Sequence, residues 1–169
     1  MRSGRNHPSG GEGRKAQRGG TAGTLQEYLN GRIPITKAMG VKVLEASVDR
    51  VELEAPLPPN INHSGTVFGG SAASVAVLSA WSLLHVRLED EGIGGNVVVH
   101  KCSMTYERPI TGTFTSTSET VGPTEWGEFL DTLKRRKRAR MRLRSVLRCN
   151  GEKVGGLEGD FVAFDLRAG

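Results

Sequence analysis

One stretch constrains the fold of this chain more than any other. It is the run of small and apolar residues from Gly69 to Val86. At this length it predicts a helix, because a typical strand has only about six residues. The run stays apolar on every side of that helix until Arg87, which indicates burial all round, and Gly92 follows where a helix C-terminus is expected. Such a helix requires other elements wrapped around it.

The same run does not predict a membrane span. It falls short of the roughly 20 residues that a helix needs to cross a bilayer, and it contains four serines and a histidine. The chain has two cysteines, Cys102 and Cys149, without a paired spacing, and they favour buried thiols in a reducing compartment. We therefore expect a cytoplasmic protein without a membrane partner.

Ahead of the long helix, the sequence predicts one short helix and two strands. Thr24 and Glu27 form a capping box at the start of the short helix, which ends at Pro34. Apolar and polar residues then alternate around a turn, which predicts strands at 41–48 and 50–56.

Beyond the long helix, the pattern predicts four strands and one amphipathic helix. Two strands turn at 109–112, and a helix capped by Thr124 follows. Strands at 139–149 and 154–165 are joined by Asn150–Gly151, a favoured hairpin pair. Six strands and one fully buried helix predict an α+β fold in which a curled antiparallel sheet wraps the helix.

Charge is distributed unevenly along the chain. Residues 1–23 hold five basic residues, one acid and seven glycines, which predicts a disordered tail before a single domain at 24–169. Residues 134–148 hold nine basic residues and no acid, whereas the remaining sequence is acidic. In one predicted strand arginines alternate with apolar residues, so that an arginine row faces outward. The row consists of Arg138, Arg140, Arg142 and Arg144.

The arginine row has three possible explanations. Acidic strands such as RVELEAP could pair with it within the sheet, or an assembly interface could do so. Alternatively, the row binds the phosphates of coenzyme A, since arginine chelates phosphate well. Nucleic acid is the least favoured partner, because no aromatic residues are interleaved with the arginines.

The segment NINHSGTVFGGS leads into the long helix and has features of a binding site. The first amides of a helix lack internal partners and carry partial positive charge. Gly69 and Gly70 remove side chains at this point, so a ligand oxygen could reach the bare amides. Such a place suits acyl transfer, in which negative charge develops on a carbonyl oxygen. Alternatively, the glycines only permit close packing of the helix on the sheet.

This segment and the order of elements resemble those of hot-dog fold thioesterases. The closest resemblance is to the thioesterase-like domain that also occurs fused behind GNAT-type acetyltransferases, and it spans about 25–164. It implies a hot-dog fold and hydrolysis of acyl-CoA or acyl-carrier thioesters, with coenzyme A as part of the substrate and no cofactor or metal. It also implies a homodimer, or a dimer of dimers, with active sites at the subunit boundary.

The resemblance also assigns roles to residues. Gly69 and Gly70 would hold the thioester oxygen, and Asn62 would hold the substrate or its attacking water unless it bonds its own loop. His63 is not assigned by the resemblance, but it lies in the same loop and imidazole titrates near neutrality, so it is a candidate general base, or else an exposed loop residue. The acyl chain is expected between the central helix and the partner's sheet. The candidate substrate-binding residues are Thr66, Phe68, Ser71, Ser74 and Met104.

Two departures from the family pattern leave the function open. Phe68 stands where relatives often have histidine, and the carboxylate nine positions later is replaced by Val77. The strand serine of some relatives falls near Val99 or His100. The chain could therefore be a thioesterase, a non-catalytic acyl-CoA-binding or regulatory module, or a basic nucleic-acid-binding protein.

Overall fold

The computed structural model describes residues 21–165. Helix α1 (Ala22–Arg32) begins three residues before the predicted start, and Thr21 is its N-cap. The Thr21 hydroxyl accepts a hydrogen bond from the Thr24 amide at 3.3 Å, so the cap predicted at Thr24 is wrong by one turn. The greater part of the tail predicted at 1–23 lies outside the described residues.

Six strands form one antiparallel sheet, as the sequence predicted. They are β1 (Lys42–Ala46), β2 (Arg50–Ala55), β3 (Gly95–Tyr106), β4 (Phe114–Glu119), β5 (Arg138–Cys149) and β6 (Glu152–Asp165). Their order across the sheet is β1–β2–β4–β5–β6–β3, with every neighbouring pair antiparallel. The sheet therefore ends in a short edge strand, β1, and a long one, β3.

The long helix, α3 (Gly69–Asp90), packs against five of the six strands, from β2 to β6. By length and composition it would pass as a membrane span, although 56% of its most apolar stretch is buried inside the fold. The prediction of burial on every side is wrong. One stripe stays partly or fully exposed. The stripe comprises Ala73, Ser74, Val77, Leu78, Trp81 and His85.

Serine hydroxyls form a cluster on the opposite, buried side of α3. The Ser79 hydroxyl lies 2.7 Å from that of Ser116, 3.0 Å from that of Ser118 and 3.1 Å from that of Ser145. Ser145 also donates to the Ala76 carbonyl at 2.6 Å. The small side chains let the helix approach the sheet closely, and their hydroxyls satisfy one another. We call these four residues the serine cluster.

Two further helices complete the fold. A short helix, α2 (Ile35–Ala38), follows α1 and was not predicted. Helix α4 (Pro123–Arg136) buries the predicted apolar stripe. Its N-cap is Gly122 rather than Thr124, because the Glu125 carboxylate accepts a hydrogen bond from the Gly122 amide at 3.1 Å.

Candidate functional site

The loop before α3 is held rigidly at its base. Asn60 is 2% exposed, and its side-chain amide donates to the Met39 and Pro56 carbonyls at 2.9 and 2.7 Å. The Asn60 carbonyl accepts from the Phe68 amide at 2.7 Å, and Ile61 forms a β-bridge with Val67. The loop is therefore a small hairpin whose base fixes the first turn of α3.

Asn62 organises the upper part of this hairpin. Its side-chain oxygen accepts from the Ser64 and Thr66 amides at 2.8 and 3.1 Å. Its side-chain nitrogen donates to the Thr66 hydroxyl at 3.0 Å and to the Val67 carbonyl at 3.4 Å. Of the two roles considered for Asn62, the structure displays the loop-bonding one, and the amide has little capacity left to hold a water.

His63 occupies the exposed tip of the hairpin. This position agrees with the second alternative for His63, an exposed loop residue.

The first three amides of α3 have no hydrogen-bond acceptor among residues 21–165. These are the amides of Gly69, Gly70 and Ser71, and the next amide, of Ala72, bonds to the Phe68 carbonyl at 3.1 Å. No side chain within the described part of the chain caps this helix, whereas Thr21 caps α1 and Glu125 bonds the N-cap amide of α4. Three donors with partial positive charge therefore converge where the sequence predicted an oxyanion site.

Two hydroxyls orient the peptide groups that carry these amides. The Tyr106 hydroxyl, on β3, donates to the Gly69 carbonyl at 2.9 Å. The Ser74 hydroxyl donates to the Gly70 carbonyl at 2.8 Å. In a trans peptide the carbonyl and the following N–H point in opposite directions. A bond to the Gly69 carbonyl therefore fixes the Gly70 N–H and strengthens it as a donor, because hydrogen bonds in a chain polarise one another.

Two aromatic rings flank the glycine pair. A Cβ on Gly70 would overlap the Phe68 ring, and one on Gly69 would lie 3.4 Å from the Tyr106 ring. Both rings are more than half exposed, at 58% for Phe68 and 56% for Tyr106. Gly70 is thus required for Phe68 to lie across the start of the helix. Tyr106 was missed in the sequence, because only the pairing of β3 beside α3 places it there.

The other predicted site residues are more scattered. Thr66 is half-buried and its hydroxyl is bonded by Asn62. Ser71 is half-buried on the first turn of α3. Met104, on β3, packs against the core. His100 is exposed at a bulge in β3, between Val99 and Lys101.

An apolar groove runs along the exposed stripe of α3, between this helix and the segment that carries α2. Its volume is about 370 Å³. Val77, which stands where the resemblance led us to expect a carboxylate, lies in its wall. Phe68 and Met104, near which the acyl chain was expected, do not line it. The lining residues are Ile33, Ile35, Thr36, Met39, Val41, Ala73, Ser74, Val75, Val77, Leu78 and Trp81.

The arginine row is paired within the sheet. Asp160 on β6 accepts from the Arg142 Nε at 2.9 Å, and Glu158 accepts from the Arg144 Nε at 2.7 Å. The Arg142 hydrogen bond lowers the pKa of the Asp160 carboxyl. Arg140 lies 3.9 Å from Asp160, and the Arg138 guanidinium lies over the Phe164 ring at 5.5 Å.

The acids that pair with the row differ from those suggested by the sequence. Glu52, in the RVELEAP strand, instead pairs with Arg50. Of the three explanations for the row, the structure favours pairing within the sheet over binding of coenzyme A phosphates or nucleic acid.

Comparison with known proteins agrees with this architecture. A family model described as "Putative thioesterase (yiiD_Cterm)" matches residues 22–165. A protein of unknown function from Chlorobaculum tepidum is 25% identical, with a TM-score of 0.81 over 86% of this chain and 97% of its own. A "putative thioesterase" from Shewanella oneidensis is 23% identical, with a TM-score of 0.76 over 85% of this chain and 96% of its own. A "probable thioesterase" from Pseudomonas aeruginosa is 19% identical, with a TM-score of 0.71 over 83% of this chain and 93% of its own. The expected hot-dog fold is confirmed.

Proposed function

Because this chain belongs to the "Putative thioesterase (yiiD_Cterm)" family, we propose that it hydrolyses acyl thioesters of coenzyme A or of an acyl carrier. The observation that carries the proposal is the set of amides without acceptors at Gly69, Gly70 and Ser71. They supply donors for the carbonyl oxygen of the substrate, and Tyr106 holds the peptide that carries one of them.

In the proposed reaction, water adds to the thioester carbonyl and the C–S bond then breaks. The products are a carboxylic acid and a thiol. Negative charge develops on the carbonyl oxygen in the tetrahedral state, and fixed donors at that position stabilise it. Each such donor contributes about a hundred- to a thousandfold in rate in acyl-transfer enzymes.

A second candidate function is saturable binding of acyl thioesters without turnover. The observation that favours it is Val77, which places a valine in the groove where relatives carry a carboxylate. No Asp, Glu or His lines this groove in the part of the chain that the structure describes.

One experiment separates the two candidates. The purified protein is incubated with acyl-CoAs of 2 to 16 carbons while a thiol reagent records release of coenzyme A, and binding is measured by calorimetry in parallel. Turnover supports the thioesterase. Saturable binding without turnover supports the binding module, and the lack of both on every substrate contradicts both proposals.

We further propose that the chain forms a homodimer through β3. This edge strand has 12 residues, and Val98 and Val99 on it are 45% and 41% exposed. A long apolar edge strand is an open template for pairing with another chain. Light scattering should report a dimer that Val98→Lys converts to monomer. The same change at Leu44, on the five-residue edge strand β1, should leave the dimer intact.

We also propose that the protein acts in the cytoplasm. The thiols of Cys102 and Cys149 are free, which suits a reducing compartment, although only Cys149 is buried and the burial predicted for Cys102 is wrong.

A further inference from the structure

We propose that the apolar groove along α3 selects unsubstituted hydrocarbon acyl chains of about nine to thirteen carbons, and that Trp81 closes its far end. The groove begins beside the amides of the proposed site, because Ser74 lines it and bonds the Gly70 carbonyl at 2.8 Å. This inference rests on the proposed function, since it assumes that the thioester carbonyl sits at those amides.

The polar side chains in the groove wall have already used their donors. The Thr36 hydroxyl donates to the Ile33 carbonyl at 2.8 Å, and the Ser74 hydroxyl donates to Gly70. The Trp81 indole N–H donates to the Val97 carbonyl at 2.7 Å. A hydroxyl or carboxylate on the acyl chain would therefore lose its hydration without gaining a donor, which is unfavourable.

Among residues 21–165, the groove wall also carries no charged side chain, since its other members are aliphatic residues and Met39. An acyl chain with a terminal carboxylate would thus find no cation to pair with. Hydrocarbon is the chemistry that this lining accepts, and each methylene buried there improves affinity about fourfold.

The length of the groove follows from the geometry of the helix. Gly70 and Trp81 are eleven residues apart on α3, which corresponds to about 16 Å along the axis. Because helical side chains point toward the N-terminus, the Trp81 ring covers the preceding turn and leaves about 11 Å. Carbon–carbon bonds of about 1.5 Å advance an extended chain by about 1.25 Å per carbon. The lengths of about 11 and 16 Å therefore correspond to acyl chains of roughly 9 and 13 carbons.

A stack of three rings forms the far end. Trp81 lies 4.9 Å from the His85 ring and 6.1 Å from the Tyr28 ring, and His85 lies 4.5 Å from Tyr28. The Val97 carbonyl fixes the indole orientation. The three rings and the Val97 carbonyl belong to α1, α3 and β3, so three elements hold this end wall in place. An acyl chain longer than the groove therefore meets a fixed obstacle rather than a mobile side chain.

Two substitutions test the groove in opposite directions. Val77→Phe fills its middle and should lower kcat/KM for decanoyl-CoA at least tenfold, while butyryl-CoA is nearly unaffected. Trp81→Ala removes the end wall and should move the preferred chain length upward by two to four carbons. Val121→Phe is the matched control, because it makes the same change in size at a half-buried position outside the groove. Its chain-length profile should be the same as that of the wild type.

Binding of non-hydrolysable S-alkyl-CoA thioethers with 4, 10 and 16 carbons gives a readout that does not depend on turnover. The inference predicts the tightest binding at 10 carbons, and its loss in Val77→Phe. If this pattern appears without hydrolysis of any acyl-CoA, the groove assignment stands and the proposed hydrolysis fails.

If acyl-CoAs are hydrolysed but Val77→Phe leaves the chain-length profile unchanged, the groove assignment is overturned and the hydrolysis stands. A second copy of the chain that covers the groove would give this result. It would also make Val77→Phe alter the oligomeric state measured by light scattering. If the thioethers do not bind at any length, the groove assignment is likewise overturned.

Discussion

Two polar regions adjoin helix α3, and they differ in whether their hydrogen-bonding groups have partners. In the serine cluster on its buried side, Ser79, Ser116 and Ser118 are 0% exposed and Ser145 is 2% exposed, and their hydroxyls bond one another or the Ala76 carbonyl. At the start of the helix, three amides have no acceptor among the described residues and no side chain caps them.

The difference shows how the same helix serves packing and binding. A buried polar group without a hydrogen-bond partner destabilises the folded state. The serine hydroxyls all have partners, so the cluster contributes to stability. The amides at the helix start belong to partly exposed residues, and the hydroxyls of Tyr106 and Ser74 orient their peptide groups, so they can donate hydrogen bonds to a ligand oxygen. We therefore expect substitutions in one region to change folding and substitutions in the other to change turnover.

The largest effect is expected at Gly70. In Gly70→Ala, the new Cβ overlaps the Phe68 ring, so the ring must shift and the surroundings of the first-turn amides change. We expect kcat/KM for decanoyl-CoA to fall about a hundredfold, the contribution of one oxyanion donor. The stability to urea should change by less than about 1 kcal/mol, because the ring is exposed.

Gly127→Ala on α4 is the matched control for Gly70→Ala. A Cβ at Gly127 meets nothing within 4 Å, so kcat/KM should stay at the wild-type value. If Gly70→Ala kept the wild-type kcat/KM, the start of the helix would not have the role in turnover that distinguishes it from the serine cluster.

The next effect is expected in the serine cluster. Ser145→Ala removes the hydroxyl that bonds the Ala76 carbonyl, Ser118 and Ser79 at 2.6, 2.8 and 3.1 Å. The free energy of unfolding should fall by about 2 kcal/mol, because buried groups lose their partners. Urea denaturation measures this change, and kcat/KM should stay constant. Ser64→Ala, in the exposed loop, should leave both quantities unchanged, and a selective loss of turnover in Ser145→Ala would contradict the separation of roles.

A smaller effect is expected at Tyr106. Tyr106→Phe keeps the ring but removes the hydroxyl that bonds the Gly69 carbonyl at 2.9 Å. We expect kcat to fall about fivefold with little change in KM, since a hydrogen bond contributes about 1 kcal/mol and acts here on the transition state. Tyr28→Phe removes a hydroxyl at the far end of the groove and should have no such effect. An unchanged kcat in Tyr106→Phe would show that this bond does not position the amide.

The smallest effect concerns the arginine row. Its side chains have partners within the fold, as the serine hydroxyls do, but the row lies on the surface. The hydrogen bond from Arg142 lowers the pKa of Asp160 in the folded state, so it stabilises the fold above the unfolded pKa of about 4. This stabilisation is lost as the pH falls through the lower, folded pKa. Asp160→Asn should therefore be less stable than wild type at pH 7, and the difference should shrink under strong acid.

Urea midpoints at pH 7 and at pH 2 measure the contribution of Asp160. Asp131→Asn, an exposed position on α4 outside the row, should follow the wild type at both values. A difference for Asp160→Asn that grows toward acid would contradict the assigned pairing.

The sequence predicted most of the fold, because local patterns carry it. The alternation of arginines with apolar residues places β5 correctly, and Asn150 and Gly151 adopt φ values of 53° and 78° at the predicted hairpin. Helix caps were predicted less well. Thr21 lies three residues before the capping box at Thr24, and both positions satisfy the local rule.

The site was predicted in part, because only its loop and helix start are local in sequence. Tyr106 is 37 residues from Gly69 and reaches it through the sheet. The groove joins the α1–α2 segment to the exposed stripe of α3, a contact that no spacing in the sequence indicates. The apolar pattern of α3 suggested burial on all sides, since a residue that lines a groove is as apolar as one in the core.

The most direct test of the proposed site is a crystal structure with a decanoyl-CoA analogue in which a methylene group replaces the sulfur. We predict that the ketone oxygen lies about 3 Å from at least one of the Gly69 and Gly70 amide nitrogens. The alkyl chain should follow α3 toward Trp81. A ketone oxygen bound elsewhere, with these amides bonded only to water or to the protein, would contradict the proposed role of the helix start.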